Sequence, residues 1–157
     1  MSIFTLRSEQ RIPAELPQVW AFISSPKNLK TITPDYMGFH IIGPEAPERM
    51  YEGLMIQYKV SPMFGIGLNW LTEITHVREG EYFVDEQRLG PYRMWHHQHH
   101  LRSILGGVLM RDEIHYIPPL GWLGDIANAL FIRRQLDEIF TYRHHKLVEI
   151  FGAFSEE

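Results

Sequence analysis

The chain alternates apolar and polar residues over long stretches and changes period three times. Residues 3–11 alternate loosely, with Phe4 and Leu6 on one face, and predict an opening strand. Pro13 and Pro17 interrupt it. Leu16, Val19, Trp20 and Ile23 then recur at helical spacing and predict a short helix over 14–24. A second short helical turn is expected from Pro26 to about Thr33-Pro34. Period-two segments return at 37–42, 54–60, 65–77, 82–89, 92–105 and 108–117. The turn signals between the later ones, Glu79-Gly80-Glu81, Gly90-Pro91 and Gly106-Gly107, are short, so neighbouring strands pair antiparallel.

After Pro118-Pro119-Leu120-Gly121 the period becomes helical. Leu123, Ile126, Ala127 and Leu130 form one apolar stripe, continued by Leu136, Ile139, Phe140, Arg143, Leu147 and Ile150. At about 1.5 Å per residue a helix over 123–151 spans ~43 Å, too long for a connector. It is expected to lie across the sheet and close it. Arg133-Arg134 and Asp137-Glu138 fall on its solvent face, where they can pair at i, i+4. The order of elements predicts an α+β chain in which a curved antiparallel sheet closes over a long terminal helix, and that arrangement leaves a cavity.

Strand geometry decides which side chains look into it. Phe83, Asp85, Gln87 and Leu89 share one face, as do Trp95, His97, His99 and Leu101, and Met110, Asp112, Ile114 and Tyr116. The alternate positions are more uniformly polar and are assigned to solvent. Turns at 90–91 and 104–107 set the register: Ser103 opposite Val108, Leu101 opposite Met110, His99 opposite Asp112, and Asp85 near His97. The result is a polar patch of Asp85, Gln87, His97, His99 and Asp112 on an otherwise apolar concave face. A histidine beside a carboxylate can be fixed in one tautomer and tuned near neutral pH. The patch can therefore orient the polar end of an apolar ligand, serve as an acid–base pair, or simply satisfy itself in a polar core. The expected cavity lining is Trp70, Phe83, Asp85, Gln87, Trp95, His97, His99, Met110, Asp112, Tyr116, Ile139 and Arg143. If there is catalysis, His97 or His99 acts as acid or base and Asp85 or Asp112 orients it. Trp20, Trp70, Trp95 and Trp122 are expected in the core, with Trp70 and Trp95 on the cavity wall. Arg143 interrupts the helix stripe, and its use would be an anion contact.

Composition narrows the alternatives. The 157 residues are enough for one domain over 1–157 with a sizeable core. A formal net charge of −4 gives no electrostatic case for nucleic acid. With no cysteine, thiolate chemistry and Cys-type zinc sites are excluded. In the run His96-His97-Gln98-His99-His100 only His97 and His99 share a face, and no zinc-type spacing accompanies them, so neither metal nor cofactor is expected. Were an ion held there, Asp85 or Asp112 would supply its third ligand. Gly65-Ile66-Gly67 lacks the helix and third glycine of a dinucleotide loop. Without a secretory pattern at the start or an apolar run of about 20 residues, a cytoplasmic protein is expected.

Several segments resemble a known superfamily. Val19-Trp20-Ala21-Phe22-Ile23-Ser24-Ser25-Pro26-Lys27-Asn28-Leu29 is similar to the opening helix and turn of SRPBCC proteins, the START / Bet v 1-like superfamily. Phe83-Val84-Asp85-Glu86-Gln87, Gly90-Pro91-Tyr92, Trp95-His96-His97-Gln98-His99, Met110-Arg111-Asp112, Tyr116 with Pro118, and Arg134-Gln135-Leu136 through Phe140-Thr141-Tyr142-Arg143 resemble a bacterial subgroup loosely described as polyketide cyclase-like or "cell division inhibitor"-like. The chain departs from the subgroup's pattern at Leu101, where an aromatic is expected, and at His100. The resemblance implies the helix-grip fold over the whole chain. It implies a binding or carrier function for a small hydrophobic or amphipathic ligand. The alternatives are a cyclase, dehydratase or isomerase on a polyketide-like or aromatic substrate, and a protein-interaction module, which would have a filled core and an exposed apolar patch instead of a cavity. It also implies a possible nucleotide-sugar-epimerase-like partner.

Overall fold

The structure is a computed structural model and describes residues 2–61 and 65–155. Strand β1 (Phe4–Ile12) leads into helix α1 (Leu16–Ile23), with Pro17 at its start, where a missing N–H costs nothing. The expected second helical turn is two single 3-10 turns, Pro26–Asn28 and Asp35–Met37. Strands β2 (His40–Ile42), β3 (Met55–Val60), β4 (Leu68–Arg78), β5 (Tyr82–Leu89), β6 (Met94–Ile104) and β7 (Gly107–Ile117) follow. They form one antiparallel sheet ordered β1-β7-β6-β5-β4-β3-β2, so the first strand closes onto the last through Phe4↔Tyr116 to Ile12↔Val108.

Two predicted strands are shorter than their pattern. The segment expected at 37–42 gives its first residues to the 3-10 turn, which ends at Gly38 with φ 55°. The segment expected at 65–77 becomes a strand only at Leu68, because Gly65 has φ 67°, outside the extended range. Register shifts at Leu71/Thr72 and Ile74/His76 bend β4. In β5–β7 the register runs as expected: Asp85↔His97, His99↔Asp112, Leu101↔Met110 and Ser103↔Val108. The Gly106-Gly107 turn packs so tightly on the end of β1 that a Cβ on Gly107 would collide with the Ile12 carbonyl.

The terminal helix runs through residues 122–151 in three parts, α2 (Trp122–Ala127), a π-helical turn (Asn128–Ile132) and α3 (Arg133–Phe151). Leu136, Phe140 and Leu147 are buried against the sheet, as their spacing predicts, whereas Ile150 at the end is exposed. The first part of the expected stripe is not buried: Leu123, Ile126 and Leu130 are exposed, and so is Trp122. The π turn is the reason. It takes up one extra residue and rotates α2 relative to α3, so the inward positions are Gly124 and Asn128. Gly124 sits where any Cβ would strike the Pro119 carbonyl. Asn128 accepts a 2.7 Å hydrogen bond at Oδ1 from the Tyr116 hydroxyl. The solvent-face pairs Arg133–Asp137 and Arg134–Glu138 form.

The main core lies under α1, where Ile12, Val19, Trp20, Phe83, Val108, Met110 and Leu147 pack together. Between this end and Tyr116, sheet and helix leave a cavity of about 340 Å³. No helix among the described residues is long and apolar enough to cross a membrane.

Candidate functional site

The cavity wall is mostly apolar: Ile56, Val60, Trp70, Ile74, Phe83 and Trp95 from the sheet, Met37 and Phe39 from the 3-10 turn and the loop after it, Leu136, Ile139 and Phe140 from α3. Rings dominate one side, where Trp70 meets Trp95 edge-on with centroids 5.3 Å apart and stacks on Tyr58 at 5.8 Å. Thr33 and Gln135 also line the cavity, and Tyr58, Thr72, Asp85, His97, His99 and Arg143 form one polar cluster.

At its centre two imidazoles and two carboxylates interlock. His97 and His99 project two apart from β6, their centroids 3.7 Å apart. His99 also stacks on Phe83, its partner across β5, at 4.1 Å. Asp112 Oδ1 lies 3.0 Å from His97 Nε2 and 2.8 Å from His99 Nδ1. Asp85 Oδ2 lies 2.6 Å from His99 Nε2 and 3.6 Å from His97 Nδ1. Each carboxylate thus faces both rings. The sheet brings them together, because Asp85 pairs with His97 and Asp112 with His99, and side-chain rotation lets each reach the second ring along the diagonal. Arg143 enters from α3 with Nη1 3.6 Å from Asp112 Oδ1 and its guanidinium 4.8 Å above the Phe140 ring. Arg143 Nε and Trp70 Nε1 are buried without hydrogen-bond partners among the described residues.

Burial and neighbouring charge set the protonation. For His97, burial and the adjacent His99 outweigh the two carboxylates and lower its pKa to about 4, so it is neutral at pH 7. For His99, burial opposes the charge, but carboxylates at both ring nitrogens overcome it and raise the pKa. Burial pushes Asp85 upward, yet His97, His99 and Arg143 together hold it below the usual carboxylate range. Asp112, despite its burial, is likewise held below that range by its hydrogen bonds to both imidazoles. Tyr58, buried beside Asp85 and bonded to Thr72 at 3.2 Å, stays protonated. The cluster therefore joins a neutral imidazole, a positively biased one, two carboxylates and a guanidinium.

The remaining expected site residues divide. Trp70, Phe83, Asp85, Trp95, His97, His99, Ile139 and Arg143 line the cavity. Four do not. Asp112 is 1% exposed and sits behind the imidazoles. Met110 is deep in the core under α1, because by that point the sheet has closed on the helix. Tyr116 is fully buried and spends its hydroxyl on Asn128. Gln87 turns its amide to the backbone, donating to Tyr92 O at 2.6 Å and accepting from Tyr92 N at 3.1 Å. It braces the turn that brings Pro91 and Tyr92 to the cavity. Lining residues absent from the expected set include Tyr58, Thr72, Met37 and Phe39, and also Ile56, Val60 and Ile74. Alternation within segments read as strands carries the signal for the first four: Tyr58 shares a face with Ile56 and Val60, Thr72 with Trp70, and Met37 with Phe39.

The sheet and its gripping helix are those of the helix-grip fold of the SRPBCC / START / Bet v 1-like superfamily. Among solved structures, a Chromobacterium violaceum protein matches with a TM-score of 0.70 at 13% identity, covering 96% of this chain and 98% of its own. The ginseng major latex-like protein 151 from Panax ginseng matches with a TM-score of 0.68 at 12% identity, covering 95% of this chain and 97% of its own. A START superfamily protein from Mycobacterium smegmatis matches with a TM-score of 0.67 at 11% identity, covering 94% and 98%. In sequence, residues 55–151 match the family described as "Domain of unknown function (DUF8410)", and the chain belongs to it. No curated protein matches.

Proposed function

We propose that the protein binds or carries a small hydrophobic molecule with a polar end. The observation that supports this is the cavity itself: about 340 Å³, walled mostly by aliphatic and aromatic side chains, with one polar cluster. Burial of apolar ligand surface supplies affinity, at roughly 25 cal/mol per Å² before the cost of association, and the polar cluster supplies orientation. Arg143 Nε and Trp70 Nε1, without partners on a cavity wall, suit a ligand whose polar end accepts hydrogen bonds. The helix-grip proteins named above share this architecture. An interaction module would be expected to fill its core.

A titration of candidate ligands, followed by the fluorescence of Trp70 and Trp95, tests the reading. One saturable site per chain is expected. Ile139→Trp, which puts an indole into the cavity, is expected to weaken binding at least tenfold while the fold persists. Undiminished binding by that variant would place the ligand elsewhere.

A second reading has one observation in its favour: neighbouring imidazoles on the cavity wall biased toward opposite protonation states. That pairing suits a cyclase, dehydratase or isomerase in which neutral His97 takes a proton and His99 gives one. Replacing both by Gln separates the readings. A carrier keeps most of its binding, whereas an enzyme loses about 10²-fold or more of its turnover.

A further inference from the structure

We propose that Asp85, His97 and His99 form a site for one divalent transition-metal ion on the cavity wall, with Asp112 fixing both imidazoles from behind. The sequence reading expects no metal. The interlocked geometry is what changes this. Asp112 Oδ1 takes one nitrogen of each ring, Nε2 of His97 at 3.0 Å and Nδ1 of His99 at 2.8 Å. The two nitrogens left over, Nδ1 of His97 and Nε2 of His99, both face Asp85 Oδ2, at 3.6 and 2.6 Å. Asp85, His97 and His99 each offer one donor atom, and the three lie within 4.8 Å of one another. Metal-bound histidines almost always give their other N–H to a carboxylate, which fixes the tautomer. Here one buried carboxylate does this for two rings.

One of the spacings already suits an ion. Ligand atoms about 2.0–2.2 Å from a tetrahedral ion stand roughly 3.3–3.6 Å from each other. His97 Nδ1 and Asp85 Oδ2 already have that spacing, and Asp85 needs to back away from His99 by less than about 1 Å. Asp85 is on the cavity wall and has room to do so, while Asp112 is enclosed. Two imidazoles and a carboxylate suit zinc, iron, cobalt or nickel, and not magnesium or calcium, which want oxygen ligands. Asp85, His97 and His99 all line the cavity, so the ion's remaining positions open onto it. Asp112, in contact with Arg143, adds a second carboxylate against the charge of the ion and the guanidinium. The site stands whether or not the cavity takes an organic ligand.

The geometry fixes opposite tautomers: His97 binds through Nδ1 and keeps Nε2–H, and His99 binds through Nε2 and keeps Nδ1–H. The test uses whole protein stripped with a chelator, dialysed, and titrated with Co²⁺ by visible absorption and with Zn²⁺ by calorimetry. One ion per chain is expected. ¹⁵N spectra of the imidazoles with and without Zn²⁺ are expected to show two of the nine histidines ligated, one through each type of nitrogen. Asp85→Asn and His99→Gln are expected to weaken binding at least 100-fold, and Asp112→Asn by about 10–100-fold. A His96→Gln/His100→Gln double variant on the outer face is expected to bind as the wild type does. The proposal is overturned if folded Asp85→Asn binds undiminished, if no ion binds below about 1 mM, or if Zn²⁺ perturbs only outer-face histidines. Should the variants fail to fold, the wild-type ¹⁵N spectra decide alone.

Discussion

Asp112→Asn removes one negative charge from the least exposed point of the polar cluster and leaves the shape almost unchanged. Asp112 is 1% exposed, so solvent screens little of its interaction. It accepts from His97 at 3.0 Å and His99 at 2.8 Å, and lies 3.6 Å from Arg143. Hydrogen bonds to charged groups contribute about 1.5–3 kcal/mol each, and breaking a buried pair from one side costs about 3–5 kcal/mol. Asparagine keeps an acceptor oxygen where Oδ1 meets all three partners, so part survives, but it carries no charge. A loss of about 3 kcal/mol is expected, or roughly 6–12 °C in Tm for a chain of this length. Urea denaturation of metal-free protein, with the m value unchanged, measures it. A loss below about 1 kcal/mol would refute the reading of Asp112 as a buried ionic partner. The companion variant replaces the whole cluster with Asp85→Leu, His97→Leu, His99→Leu, Asp112→Leu and Arg143→Met. It is expected to recover most of that loss, since buried ionic groups seldom stabilise more than a well-packed apolar set. Such recovery would mean the cluster is there for chemistry and not for the fold.

Three further outcomes follow from particular contacts. Tyr116→Phe strands the buried Asn128 amide beneath the π turn and is expected to cost about 1–3 kcal/mol in chemical denaturation, with faster amide exchange confined to residues 122–132. Gly90→Ala drives a methyl into the Gln87 carboxamide, so the Tyr92 clamp should open and ligand affinity should fall, with a smaller loss of overall stability in the same denaturation series. In metal-free protein His97 titrates near pH 4 when folded and near 6.5 when unfolded. The unfolded chain therefore takes up the proton first. The stability His97 contributes is full above pH 6.5 and is lost as pH falls toward 4. Asp85 and Asp112, with lowered values, add their own losses at still lower pH. Thermal midpoints between pH 7 and 4 are expected to show the first decline, and His97→Gln to flatten it.

The strands from β5 to β7 were legible because period-two alternation and short turns set both face and register, and a slip of one residue would have shown in every pair from Asp85↔His97 to Ser103↔Val108. Where those rules were silent, the reading failed. Nothing in an apolar stripe announces a π turn, so Leu123, Ile126 and Leu130 were assigned inward when the rotation at 128–132 carries them out. Sharing a face with the cluster did not bring Met110 or Tyr116 to the cavity, because the helix closes on the sheet at both ends and the hollow lies between. Gln87 went astray for a different reason: the backbone of the adjacent turn competes for its amide. Asp85, His97 and His99 were placed together by pairing alone, but their diagonal bonds and the shared Asp112 depend on side-chain rotation, which pairing does not specify.

Native mass spectrometry of the protein purified gently from its own host tests the central claim most directly. The account predicts a mass increment of one small apolar molecule per chain, released on denaturation, and absent when Ile139→Trp is purified in the same way. A wild-type chain that flies consistently without such a companion, and that takes up none from an extract of its host's small molecules, would contradict it.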